Sequence, residues 1–225
     1  QGGSAFRRWE GEAVPADQRY RPTLTLVADG PKAVTAVFSE PVTYAWSYDS
    51  SAKQISYGSS DGQDTRWVFK VTETDGRLSI SEYVSGEGDL DFSSFAVPGK
   101  EIVSIGSGVL QDRADILYGF LNTGTIRDIP SMALGGLSNL KELFLPCVTN
   151  LGRVAVQKAT SLTNIVFPVT LTSVGGDDIT FGSCGALRHI RFLGGAPTCG
   201  NNDPFPSNGK YVFHVPGRGK EGASW

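Results

Sequence analysis

The sequence predicts a mainly β protein: an N-terminal β-sandwich module followed by a short, irregular solenoid of repeats. Three observations carry this. Apolar residues alternate with polar ones through residues 23–86. Two apolar columns recur through the second half at a period of 22 to 25 residues. Glycine is abundant, at 28 of 225 residues with a single Met, which favours strands and turns over long helices.

Residues 1–22 carry Phe6, Arg7, Arg8 and Trp9 among Gly, Pro and Glu, and read as an extended leader with one docked aromatic. From Thr23 the pattern changes. Leu24-x-Leu26-x-Ala28 reads as a strand and Asp29-Gly30 as a turn. Val34-x-Ala36-x-Phe38, Val42-x-Tyr44-x-Trp46, Ile55-x-Tyr57, Trp67-x-Phe69-x-Val71 and Leu78-x-Ile80 continue the series, with turns at Asp61-Gly62 and Asp75-Gly76. Period-2 alternation buries one face of a strand, and short strands about ten residues apart suggest a sandwich over residues 23–86. Ser85-Gly86-Glu87-Gly88 marks the boundary. The linker is short, so the module is expected to pack on the solenoid and cover its open N-terminal edge, which would otherwise expose core.

In residues 87–225, Leu140-x-x-Leu143-x-Leu145-Pro146, Leu162-x-x-Ile165-x-Phe167-Pro168 and Leu187-x-x-Ile190-x-Phe192 align. A second column, Ile105, Ile129, Leu151 and Val174, runs ahead of them. The last two apolar residues of each motif are two apart, so they share one face of a short strand. One such unit cannot bury its own apolar face, whereas stacked neighbours build a continuous core. Gln111–Thr123 fits the pattern poorly, but Tyr118 and Leu121 precede Leu140 and Leu143 by 22 residues and suggest a degenerate repeat. Four to five turns are expected.

These motifs resemble the BspA-type leucine-rich repeats of bacterial surface proteins. The resemblance is carried by Ile126-Arg127-Asp128-Ile129, by Leu134 and by Leu137-Ser138-Asn139-Leu140-Lys141-Glu142-Leu143-Phe144-Leu145-Pro146. It recurs in Leu171-Thr172-Ser173-Val174-Gly175 and Phe181-Gly182-Ser183-Cys184-Gly185-Ala186-Leu187. Leu90-Asp91-Phe92-Ser93-Ser94 looks like the start of the array, and Tyr211-Val212-Phe213-His214-Val215-Pro216-Gly217 like its closing strand. The Asn common at the ladder position of longer leucine-rich repeats is replaced by Val148. The Thr23-Leu24-Thr25-Leu26 run is similar to the small Ig-like modules that precede such repeats. The resemblance implies a bacterial chain, secreted or displayed at the cell surface, that mediates protein–protein interaction or adhesion.

Composition excludes several alternatives. Net charge is −3 and the pI near 5.4, which gives no electrostatic case for nucleic acid. No apolar run reaches transmembrane length, and Gln1-Gly2-Gly3-Ser4 carries no signal-peptide pattern. Cys147, Cys184 and Cys199 lack metal spacing and read as packed thiols, with a Cys184–Cys199 disulfide left open. His189 and His214 are the two histidines, each at an outward strand position, so zinc is not expected. Gly58-Ser59-Ser60-Asp61-Gly62 has the letters of a nucleophile elbow, but a strand rather than a helix follows, so it reads as a hairpin turn. The acidic groups Glu87, Asp89, Asp91 and Asp177-Asp178 lack calcium-loop spacing. No catalytic residue and no cofactor is expected.

Binding is expected on the outward positions of the repeat strands: Glu142 and Phe144, Asn164 and Val166, His189 and Arg191. Phe144 and Val166 are apolar where the repeat does not demand it, and an aromatic beside an Arg is a common interface composition. The expected partner is a protein or glycoprotein, host-derived on the family resemblance, with the chain itself a monomer. The alternative is carbohydrate binding by aromatics of the N-terminal module, with Tyr44, Trp46, Tyr48 and Trp67 as candidates. Trp46 itself reads more readily as core, since it shares a strand face with Tyr44.

Overall fold

The computed structural model describes residues 5–27, 29–39, 42–175, 180–199, 203–205 and 210–215. Strands β1 (Ala5–Glu10) and β2 (Thr35–Ser39) form an antiparallel ribbon. Strands β3 (Tyr44–Asp49), β4 (Gln54–Ser59), β5 (Thr65–Thr74) and β6 (Arg77–Gly86) form an antiparallel meander. From there the chain alternates between two parallel sheets. The first receives β8 (Glu101–Ile105), β10 (Asp128–Ile129), β12 (Asn150–Leu151), β14 (Ser173–Val174) and β16 (Thr198–Cys199). The second receives β7 (Gly88–Asp91), β9 (Leu117–Asn122), β11 (Glu142–Phe144), β13 (Asn164–Phe167), β15 (His189–Phe192) and β17 (Val212–His214). The result is a β-solenoid of about five turns.

The two apolar columns of the sequence are the inner faces of these two sheets. Ile129 pairs in register with Leu151, and Leu151 with Val174, in the first. Leu121 pairs with Leu143 and Ile165 with Ile190 in the second, which places Leu121 in the ladder as the degenerate repeat requires. All these side chains are buried, with Leu140, Leu162 and Leu187 between the sheets. The misfit at Gln111–Thr123 is a small one: sixteen residues separate Ile105 from Leu121 where fourteen separate Ile129 from Leu143, and the chain rejoins the ladder at β9 with Leu117 and Leu121 buried.

The sandwich expected over residues 23–86 takes a different form. The meander is one edge of a nine-stranded sheet, because β6 pairs in parallel with β8 and continues the first solenoid sheet without a break. The inward residues Trp46, Trp67, Phe69, Leu78 and Ile80 need a covering layer. Leu90 and Phe92 of the first solenoid turn provide it, all within one hydrophobic core. A second sheet of the module's own is unnecessary, since the solenoid already buries that face.

Two local expectations are also corrected. Leu24–Val27 is not a strand; Thr25 N–H donates to Gln18 Oε1 (2.6 Å), and the partner of β2 is instead the leader strand β1. Cys184 and Cys199 are not bridged. Cys184 is buried with its Sγ 3.2 Å from the Val156 carbonyl, while Cys199 is exposed on the last strand of the first sheet. The elbow-like segment is a hairpin turn between β4 and β5, in which Ser59 Oγ donates to Asp61 (2.6 Å). Pro216 and Gly217 of the closing segment, and Asp177 and Asp178, lie outside the described residues.

Candidate interaction face

The outer faces of the two sheets differ in chemistry. On the first, polar side chains bond to one another up the stack. Ser104 Oγ donates to Ser79 (2.7 Å), Asn150 Nδ2 to Asp128 (2.6 Å) and Ser173 Oγ to Asn150 Oδ1 (2.6 Å). Thr149, Thr172 and Thr198 each donate to the backbone carbonyl one turn below. These groups are largely satisfied within the fold and offer little to a partner.

On the second sheet the outward residues form two columns, set by the parallel register. One runs Phe120, Glu142, Asn164, His189 and Val212; the other runs Asn122, Phe144, Val166, Arg191 and His214. Within each strand the residue between the columns is buried in β9, β11, β13 and β15, because alternate side chains leave opposite faces. The six residues singled out from the sequence therefore sit side by side. Phe144 remains 48% exposed and Val166 43%. Phe120 lies diagonally beside Phe144, ring centroids 5.4 Å apart. His189 and His214 stack with centroids 5.9 Å apart.

The apolar strip widens beyond those six. Val169, in the turn after β13, and Leu193, after β15, are exposed and join Phe144 and Val166 in lining an open groove of about 760 Å³. A second groove of about 560 Å³ continues from Val166 and Leu193 to His189, Arg191 and His214. At the other end the leader stands beside the sheet, and a polar recess of about 290 Å³ lies between Asp17, Arg21, Phe120, Lys141 and Glu142. Among the described residues Glu142 and Arg191 form no salt bridge, so both charges face solvent. Sequence reasoning missed Phe120, Val169 and Leu193. The spacing of 22 residues from Phe120 to Glu142 is the signal that would have found the first.

The acidic cluster is accounted for by local partners. Glu87 pairs with Arg19 (2.8 Å), Asp89 accepts the Phe120 N–H (3.2 Å), and Asp91 caps the short turn at Phe92–Ser94 through Ser93 N–H. Burial pushes the Asp89 carboxyl above the usual carboxylate range. Among the described residues no three His, Cys, Asp or Glu side chains converge.

The aromatics proposed for sugar stacking are already engaged. Trp67 is fully buried with Nε1 donating to the Asp89 carbonyl (3.1 Å), and Trp46 is buried with Nε1 between the Asp91 carbonyl and Ser94 Oγ (both 3.2 Å). Tyr44 donates to Asp64 (2.5 Å) with the Arg66 guanidinium 4.3 Å over its ring, and Tyr48 donates to Glu73 (2.6 Å). The Trp rings are not accessible to a sugar because the core needs their apolar area.

Strand ladder and repeat pattern together define a β-solenoid, continued at the N-terminal edge of its first sheet by an antiparallel meander. No known family profile and no curated protein matches the chain. Among solved structures it is similar to the crystal structure of a leucine-rich repeat protein of T. pallidum. Identity is 22% and the TM-score 0.48, over 65% of this chain and 61% of that one. The chain thus spans less than two thirds of that neighbour's length.

Proposed function

We propose that the protein is a non-enzymatic interaction protein that binds another protein or glycoprotein through the outward face of its second sheet. The observation that carries this is the contiguous exposed strip of Phe144, Val166, Val169 and Leu193, flanked by the free guanidinium of Arg191. Soluble proteins rarely leave such a strip uncovered, and a polar rim around an apolar centre is the composition of an interface. Repeat stacking supplies the extended surface on which such proteins bind. The BspA-type resemblance supports a bacterial surface or secreted location, an adhesive role and a host-derived partner.

The test is binding of the purified protein to immobilised extracellular-matrix proteins and, in parallel, to a glycan array. Binding to a protein ligand that is lost in Phe144→Ala and Arg191→Ala, with melting temperature retained, supports the proposal. Binding that survives both substitutions, or turnover of an ester or glycoside substrate, overturns it.

A further inference from the structure

We infer that one partner of this face is a second copy of the chain, docked about a two-fold axis that runs parallel to the strands in front of the outward face of β13. This rests on the reading of the face as an interaction surface. It names the partner from the arrangement of chemistry about the central strand.

A two-fold interface requires a patch that complements itself: what lies at a given distance on one side of the axis must fit what lies at the same distance on the other. An axis in front of β13 brings Val166 against its own symmetry mate. One strand out, β11 of one copy meets β15 of the other, because the register steps one strand at a time from β11 to β13 to β15. In the first column Glu142 then faces His189, an acid against an imidazole. In the second column Phe144 faces Arg191, a ring face against a guanidinium. Two strands out, Phe120 of β9 meets Val212 of β17, apolar against apolar. Each pairing is favourable in kind, and none sets like charges against each other. An axis in the plane of the sheet but across the strands would exchange the two columns within each strand, setting Glu142 against the ring of Phe144 and the His189 imidazole against the Arg191 guanidinium, a poorer match. Glu142 and Arg191 have no ion pair within their own chain among the described residues, so neither has to leave a partner to form this contact.

The size of the patch sets the expected strength. Five strands at about 4.8 Å spacing and about four residues in length cover on the order of 300 Å² per copy, before Val169 and Leu193 add their area. That is below the roughly 800 Å² per partner of a standard interface. The dimer is therefore weak and concentration-dependent, formed most readily where the chain is crowded.

Sedimentation velocity on the full chain from micromolar to near-millimolar concentration tests this. The expected result is a reversible monomer–dimer equilibrium, weakened at least roughly tenfold by Val166→Arg, which places two guanidiniums on the axis. Glu142→Lys and His189→Glu singly weaken it, and the double variant restores it, while circular dichroism and melting temperature stay unchanged. In a Cys147→Ser/Cys199→Ser background, Val166→Cys forms a disulfide-linked dimer under mild oxidation. A wild-type chain that stays monomeric throughout overturns the inference. So does a dimer that is indifferent to Val166→Arg and not trapped by Val166→Cys. If the chain is monomeric but Phe144→Ala still abolishes binding to a matrix protein, the proposed function stands and the self-pairing falls.

Discussion

Trp46 of the meander stacks on Phe92 of the first solenoid turn, with ring centroids 5.3 Å apart and planes inclined by 24°. The same indole lies 6.5 Å from Phe69 and bonds through Nε1 to Asp91 and Ser94. One side chain thus joins strand β3 to the segment where the chain enters its second sheet.

Trp46→Ala should therefore destabilise the whole protein, by about 3–5 kcal/mol for an aromatic removed from a packed core. Meander and solenoid share that core, so they should unfold together. Chemical denaturation followed by tryptophan fluorescence and by far-ultraviolet circular dichroism should give coincident transitions in both wild type and variant. Separate transitions would show that the meander is an independent module.

Glu73 carries a pH dependence. Its carboxylate accepts from Lys100 Nζ and from Tyr48 Oη, with Lys53 nearby, and the Lys100 hydrogen bond leads in lowering its pKa to about 2. A carboxyl whose pKa is lower folded than unfolded stabilises the fold above its unfolded value and loses that contribution as pH falls through the folded one. The contribution should be intact at neutral pH and fade between about pH 4.3 and pH 2. Glu73→Gln should flatten the wild-type decline in melting temperature over that window. An unchanged slope would argue against the assignment.

The cysteines should separate by reactivity. Burial pushes the Cys184 thiol up to about 11; partial desolvation and the nearby Asp203 also raise Cys199, but its side chain is exposed to reagent. At pH 8 a thiol reagent should label Cys199 quickly and Cys184 only on unfolding, since the thiolate is the reacting species. Mass spectrometry of tryptic peptides after timed labelling reads this directly. Rapid labelling of Cys184 in the folded protein would contradict its placement.

Gly86 ends the meander at φ +125°, and a Cβ there would lie 2.1 Å from the Arg66 carbonyl oxygen. Neither the backbone conformation nor the contact can relax cheaply, because the obstructing atoms belong to the backbone of β5. Gly86→Ala should cost about 1–3 kcal/mol, as overpacking of a tight site does. A thermal melt checks it, with Gly185→Ala, where a Cβ meets nothing within 4 Å, as the control.

Much of the solenoid was legible because its constraint is local and repeated. Leu140, Leu143 and Leu145 return as Leu162, Ile165 and Phe167, and a period of 22 residues fixes which side chains must share a core. The outward positions follow from the same alternation, which puts Phe144, Val166 and Arg191 on the face opposite the buried column. Phe120 was harder to see because the connection from Ile105 to β9 is two residues longer than its counterpart from Ile129 to β11, which shifts the pattern just ahead of it. Val169 and Leu193 follow the strands and carry no periodic mark.

By itself, then, the sequence determined the repeat, the inward columns and the two outward columns that flank them. Each of these depends on residues close together along the chain or related by a constant step. Only the tertiary structure decided that Ile105, Ile129, Leu151 and Val174 line a sheet of their own, that β6 joins β8 so the meander extends that sheet, and that Leu90 and Phe92 cover Trp46 and Trp67. Those outcomes turn on which strand edge and which apolar face find each other in space. An alternating pattern states that a face must be buried, and leaves open what buries it.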